Sequence, residues 1–270
     1  MISGKGIIAG VIGWPVAHSL SPKLHHYWLA RYGIDGAYVP LAVRPEDFAE
    51  VMRVLPKSGF AGVNLTLPHK ELVLPMLSDM DEAAVAAGMA NTIIMRDGKL
   101  FGRNTDSYGF RENIRPALKA KNKAVILGAG GAAKAVCHAL IQEGFADIVV
   151  TNRSPGRAGA LAKQFPGIIA QPWEWRSKSL AGADLLVNAT SLGMGGKESL
   201  DIDLAALPAS ALVTDIVYTP LMTPLLLAAQ ARGNRIVDGL GMLLHQAVPG
   251  FEAWFGVRPE VDAALRDFML

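Results

Sequence analysis

Residues 124–133 read Ala124-Val125-Ile126-Leu127-Gly128-Ala129-Gly130-Gly131-Ala132-Ala133. Four apolar residues run into a glycine turn, and small residues then open a helix, the order that the pattern G-x-G-x-x-A requires. The first glycine of such a turn permits a tight reversal. The second lets backbone N–H groups approach a pyrophosphate at the helix N-terminus, where the aligned peptide dipoles favour an anion. Any strand-to-helix turn can carry a glycine pair, so the flanking pattern decides. Strands are predicted at 124–127, 147–151, 167–170, 184–188, 212–217 and 235–237, with helices between most of them. Six short apolar strands alternating with helices predict a parallel, doubly wound sheet that binds a dinucleotide.

The end of the second strand selects the dinucleotide. An NAD site usually places Asp or Glu there for the ribose hydroxyls, whereas this chain reads Thr151-Asn152-Arg153-Ser154-Pro155-Gly156-Arg157. With no carboxylate present, Arg153 and Arg157, four residues apart at a helix start, are placed to converge on an added 2′-phosphate with help from Ser154. NADP (NADPH) is the expected cofactor.

Composition sets the frame for this unit. The 270 residues suffice for two domains, and 51% apolar with 19% charged residues is a globular balance. A net charge of +2 argues against nucleic-acid or membrane partners, and no apolar run reaches the ~18 residues of a membrane span. The single cysteine, Cys137, excludes an internal disulfide and fits a reducing compartment, so a cytoplasmic protein is expected. His18, His25, His26, His69, His138 and His245 lack metal-ligand spacing, and no metal is expected.

The first hundred residues alternate strand-like and helix-like segments. Strands are predicted at 6–12, 37–43 and 63–67, helices from Ser21-Pro22 to Gly33 and at 46–55, 71–77 and 81–87, and a hairpin about Asp97-Gly98. Ser21 is expected to cap its helix. In 62–67 the alternation sends Asn64 and Thr66 to one face and Val63, Leu65 and Leu67 to the core. Pro68 then opens a helix whose first turn holds Lys70, where the positive helix end disfavours a cation, so helix stability does not account for it. A helix from Asp106 to about 120 and the polar break Lys121-Asn122-Lys123 suggest a boundary between a domain over 1–105 and one over 106–239. The last two helices, 242–255 and 259–270, follow no strand and are expected to complete the first domain, making it discontinuous over 240–270.

With these residues in view the chain resembles the shikimate dehydrogenase family, NADP-dependent enzymes that interconvert 3-dehydroshikimate and shikimate. The resemblance covers essentially the whole length. It rests on Gly13-Trp-Pro-Val-Ala-His18-Ser19-Leu-Ser21-Pro22, Asn64-Leu-Thr66-Leu-Pro68-His-Lys70, Ala90-Asn91-Thr92 and Gly102-Arg-Asn104-Thr105-Asp106. It continues through Gly128-Ala-Gly130-Gly131, Asn152-Arg153-Ser154, Asn188-Ala-Thr190-Ser191-Leu-Gly193-Met194, Asp215-Ile-Val-Tyr218-Thr-Pro220 and Asp238-Gly239-Leu-Gly241-Met242-Leu-Leu-His-Gln246. His26 departs from the asparagine that many relatives carry there.

The resemblance implies a discontinuous α/β substrate domain beside a Rossmann-type NADP-binding domain. It implies Lys70 and Asp106 as the catalytic pair, Ser19, Ser21 and Tyr218 for the substrate carboxylate, and Asn64, Thr66, Asn91, Asp106 and Gln246 for its ring hydroxyls. Toward the cofactor it implies Gly128, Ala129, Gly130, Gly131, Ala132, Asn152, Arg153, Ser154, Arg157, Thr190, Val217, Gly239 and Met242. Many neutral donors and acceptors at fixed positions suit a small acid with several hydroxyls. Two alternatives stand beside it: an NAD-preferring quinate/shikimate dehydrogenase, expected to carry an acidic residue near Asn152, and a non-catalytic NADPH-binding sensor, free to lose Lys70 or Asp106. A homodimer is compatible with all of this, and the assembly state stays open.

Overall fold

The computed structural model describes residues 2–270. The chain divides into two compact units, one running to Thr105 and resuming over Leu244–Leu270, the other Asp106–Leu243.

The first unit holds β1 (Ile7–Gly13), α1 (Ser21–Arg31), β2 (Gly36–Ala42), α2 (Phe48–Val54), β3 (Phe60–Leu65), α3 (His69–Leu72), β4 (Asp79–Met80), α4 (Glu82–Ala87), β5 (Thr92–Arg96) and β6 (Lys99–Arg103). Its sheet has the order β2-β1-β3-β5-β6-β4. The β1 pairings with β2 and β3 and the β4–β6 pairing are parallel, whereas β3–β5 and β5–β6 are antiparallel. The hairpin turn of β5 and β6 has Asp97 at φ 52° and Gly98 at φ 71°, the left-handed pair that a two-residue loop demands.

One sheet face buries Ile12, Val63, Leu65 and Ile93 against Phe48, Met52 and Val73. The other, with Ala9, Tyr38 and Asn64, is covered by α1 and by the end of the chain. There His25 and Trp28 meet Phe251, and His25 lies against Trp254. Trp28 Nε1 donates to Glu260 O at 3.1 Å, and Arg31 pairs with Asp262 at 2.7 Å.

Three predicted helices are shorter than their patterns, and a proline stands just beyond the point where each α-helix stops; α2 also starts later than its pattern, at Phe48. Residues 46–55, 71–77 and 106–120 yield α2, α3 and α5 (Asp106–Ile114), each followed by a 3-10 turn over Leu55–Lys57, Leu74–Met76 and Arg115–Ala117. Each turn contains a proline (Pro56, Pro75 and Pro116), which lacks the N–H of an α-helical bond and whose ring collides with the carbonyl four residues back.

The second unit continues with β7 (Lys123–Leu127), α6 (Gly131–Glu143), β8 (Asp147–Thr151), α7 (Pro155–Gln164), β9 (Ile168–Gln171), β10 (Leu185–Asn188), β11 (Leu212–Asp215), α8 (Pro224–Ala231) and β12 (Arg235–Val237). All strands are parallel in the order β12-β11-β10-β7-β8-β9. The first three strands and the last three run outward from a central switch between β7 and β10, which is the predicted doubly wound, Rossmann-type arrangement. Glu143 at the end of α6 is nearly buried and meets Lys121 at 2.6 Å and Arg115 at 3.0 Å. Those cations outweigh the effect of burial and hold its carboxyl below the usual range. α9 (Leu240–Phe255) and α10 (Ala263–Met269) end the chain.

Candidate active site

Asn64 sits on β3 between Val11 of β1 and Thr92 of β5. It is buried and held by three hydrogen bonds: Nδ2 donates to Asn91 O at 3.1 Å and Thr92 Oγ1 at 2.9 Å, and Oδ1 accepts from Tyr38 at 2.6 Å. Asn91 just precedes β5, where its Oδ1 accepts from Thr105 N at 2.8 Å, and its Nδ2 donates to Thr105 Oγ1 at 3.0 Å and Gln246 Oε1 at 3.4 Å. Three of the residues expected to hold ring hydroxyls therefore form one polar network. Thr92 and Thr105 complete it. Both lie within the quoted motifs, and their adjacency to Asn91 and Asp106 was the only signal for them in the sequence.

Thr66 and Lys70 require corrections. β3 ends at Leu65, not 67, and Leu67 is 76% exposed where alternation pointed it to the core. Thr66 N still donates to Ile12 O at 2.9 Å, and the chain turns through His69 N to Thr66 O at 2.9 Å. A side chain at Gly13 would collide with the Thr66 methyl, so that glycine makes room for it. Pro68 is the N-cap of α3 and not its first residue. With four residues α3 carries little macrodipole, so helix electrostatics neither oppose nor explain Lys70. What fixes Lys70 is local. Its carbonyl accepts from Ala90 N at 3.0 Å, next to Asn91, and its side chain is half-buried. His69 anchors the turn by stacking on Phe48 at 4.4 Å and through Nε2 with Val43 O at 2.8 Å.

Ser19 and Ser21 lie together at the start of α1, where Ser21 N donates to Ser19 Oγ at 3.3 Å. Ser21 is not the N-cap. Leu20 holds that position, no side chain caps the helix, and the Ser21 hydroxyl instead has the Tyr38 hydroxyl as a neighbour.

In the second unit Gly128 follows β7 with φ +110°, and its N–H donates to Thr151 O at 2.8 Å. A Cβ there would lie 2.8 Å from Ala189 O and 3.0 Å from Thr190 Cγ2, so the glycine allows the loops after β7 and β10 to meet at the switch point. Gly130 caps α6 with open space where its Cβ would stand, and Gly130 and Gly131 are both exposed. Ala129 and Ala132 are partly buried at the start of a 13-residue helix, whose first-turn amides have no acceptor within the helix. This is the geometry a pyrophosphate needs.

Arg153, Ser154 and Arg157 are exposed beyond β8, and Asn152 Nδ2 donates to Ser154 O at 3.1 Å. Since α7 starts at Pro155, Arg153 precedes the helix, and the helical four-residue spacing does not apply to the pair. Ser154 is the N-cap without a side-chain cap bond. No carboxylate side chain lies in 151–157. These residues fit a phosphorylated ribose better than a free one.

The remaining residues expected to face a cofactor are organised by groups to which the sequence reading gave no role. Asn188 Oδ1 accepts from Thr190 N at 3.1 Å and Thr190 Oγ1 at 2.7 Å, while Asn188 Nδ2 donates to Asp215 at 3.0 Å. Asp215 also accepts from Val217 N at 2.9 Å and Thr223 Oγ1 at 2.8 Å, and burial raises its carboxyl despite these bonds. Gly239 lies so near the next loop that a Cβ would be 2.6 Å from Ile216 O and 2.7 Å from Val217 O. Met242 follows in α9, half-buried. Tyr218 is partly buried, which raises its hydroxyl above the usual range. Asp106 is the first residue of α5 and is buried. Ser107 and His138 Nδ1, 2.9 Å apart, tie α5 to α6. Among the described residues no group of three or more His, Cys, Asp or Glu side chains is placed to hold a metal. No helix among them is long and apolar enough to cross a membrane.

Three family models match in order: the shikimate dehydrogenase substrate binding domain over residues 11–93, shikimate / quinate 5-dehydrogenase over 112–195, and the shikimate 5′-dehydrogenase C-terminal domain over 239–266. A shikimate dehydrogenase (NADP(+)) of Paramagnetospirillum magneticum is 55% identical over 275 residues, covering 100% of both chains. The shikimate 5-dehydrogenase of Thermus thermophilus, solved with NADP(H) and shikimate, superposes with a TM-score of 0.89 at 37% identity over 97% of this chain and 98% of that one. A quinate dehydrogenase of Corynebacterium glutamicum in complex with NAD reaches 0.92 at 31% identity over 97% and 98%. With the motifs, the fold and full-length identity in agreement, the chain belongs to the shikimate dehydrogenase family.

Proposed function

We infer that the protein is an NADP-dependent oxidoreductase interconverting 3-dehydroshikimate and shikimate. The observation that carries this is full-length 55% identity to a shikimate dehydrogenase (NADP(+)). The quinate reading with NAD is less well supported. The fold is shared with such an enzyme, but the end of β8 offers Arg153 where a free ribose would call for a carboxylate. The sensor reading is not favoured, since Lys70 and Asp106 are both present.

In this reading the first unit binds substrate and the second binds NADP. The glycine turn at Gly128–Gly131 takes the pyrophosphate, and Arg153, Ser154 and Arg157 take the 2′-phosphate. Thr190, Val217, Gly239 and Met242 line the nicotinamide end. Ser19, Ser21 and Tyr218 hold the substrate carboxylate, while Asn64, Thr66, Asn91 and Gln246 hold ring hydroxyls. Bound NADP(H) supplies hydride exchange at the ring carbon. Lys70 Nζ gives a proton to the ring oxygen as the alcohol forms and takes it back in the reverse direction, with Asp106 as its acid–base partner. With Cys137 buried as the lone thiol, the cytoplasm is the natural setting for this chemistry.

Lys70→Ala tests these roles. It is expected to bind NADPH with unchanged affinity in a fluorescence titration and to lose ~10²–10⁴ in kcat, with little rescue by Lys70→Arg, whose guanidinium stays protonated. A Lys70→Ala protein keeping more than about a tenth of the wild-type kcat would demote Lys70 to holding substrate only.

A further inference from the structure

Tyr38 has no role in the reading above, yet it joins two of its substrate-binding residues. It lies on β2 opposite Ala9 of β1, which is opposite Gly62 of β3, so the three share one sheet face. Because Ala9 and Gly62 are small, the phenol reaches across β1 and donates to Asn64 Oδ1 at 2.6 Å. The ring is fully buried and stacked on His25 at 3.8 Å with an interplanar angle of 1°, which leaves it no freedom to swing away.

The sense of these bonds is forced. Both protons of Asn64 Nδ2 are directed at Asn91 O and Thr92 Oγ1, so a flipped carboxamide would set oxygen against the Asn91 carbonyl. Oδ1 must accept. Tyr38 has one proton and gives it to Asn64, so toward the neighbouring Ser21 hydroxyl it presents a lone pair. Asn64 is thereby left with a single unused function, the second lone pair of Oδ1. A ligand group opposite it must be a donor: a hydroxyl satisfies that lone pair, whereas a ketone or ether oxygen would meet it with another.

We propose that Tyr38 is a positioning residue of the substrate site, holding Asn64 as an acceptor for a ring hydroxyl and steadying Ser21 beside it. The proposal rests on the substrate roles assigned above to Ser21 and Asn64. No bond is made or broken; the tyrosine acts by fixing orientation before substrate arrives.

Tyr38→Phe removes only the hydroxyl and keeps the stacked ring. The KM for shikimate should rise about 5–10-fold, the worth of one orienting hydrogen bond, while kcat and the KM for NADP stay within about twofold. Combined with Ser21→Ala, the losses should be less than additive, because the two hydroxyls adjoin. Thermal unfolding run in parallel identifies a merely structural effect, which would depress kcat, both KM values and the melting temperature together. An unchanged shikimate KM, strict additivity or that general decline would overturn the proposal. Wild-type protein inert toward shikimate would instead overturn the functional reading, and the proposal with it.

Discussion

Acidification should destabilise the substrate half of this chain through His25. The imidazole is fully buried among Tyr38, Trp28, Phe251 and Trp254, and neither ring nitrogen has a hydrogen-bond partner. Burial, with a smaller contribution from His26, lowers its pKa to about 3 from 6.5. A histidine whose folded value is depressed binds fewer protons when folded. The neutral form therefore contributes its full stability above about 6.5, and that stability is lost as the pH falls from there toward about 3. Between pH 7 and pH 5 the loss works out at about 2 kcal/mol, a large share of a typical domain's margin. The assay is urea unfolding followed by tryptophan fluorescence at the two pH values, for wild type and for His25→Phe, which keeps an aromatic ring of similar shape without a titrating group. The variant's absolute stability is not the readout; the difference in pH dependence is. His69, also lowered by burial against a stabilising bond to Val43 O, is present in both proteins and cancels. If wild type and variant lost the same stability between pH 7 and pH 5, within about 0.5 kcal/mol, His25 would not be the buried neutral group described.

Two further outcomes concern the cofactor unit. Arg153→Ala and Arg157→Ala should each weaken NADP by about tenfold and leave NAD nearly unchanged, since the charge-assisted contact they lose is made to the 2′-phosphate alone and is partly screened at an exposed site. Isothermal titration with both cofactors decides it, and equal losses would mean that the arginines act through folding. Gly128→Ala forces a side chain into φ +110° and to within 2.8 Å of Ala189 O, so NADP affinity and the melting temperature should fall together, with a cost of about 1–3 kcal/mol from backbone strain alone. Wild-type affinity and stability in that variant would show that the loops after β7 and β10 do not meet as described.

Local pattern made much of the second unit legible. The strand expected at 147–151 is β8 and the one at 235–237 is β12, because short apolar runs between turn residues leave few alternatives. The Asp97-Gly98 turn was equally plain, since its left-handed backbone suits those two residues. Long helical patterns were over-read where Pro75 and Pro116 fell inside them, a local signal that was present and underweighted. Alternation failed at Leu67, where the chain leaves the sheet after Leu65. Among site residues, Lys70 and Asn64 stood out from the strand pattern, and Asn91 came through the family resemblance. Tyr38, Thr92, Thr105 and Asp215 did not, because their importance lies in hydrogen bonds to residues that are distant in sequence or in motifs whose other members drew attention first. No periodicity encodes such pairings.

The central claim is tested most directly by the turnover of purified wild-type protein with shikimate and quinate, each with NADP and NAD, followed through the absorbance of the reduced cofactor. Shikimate with NADP is expected to give the highest kcat/KM of the four, as the arginines after β8 and the NADP-dependent relative both imply. Faster turnover of quinate with NAD than of shikimate with NADP would contradict the account.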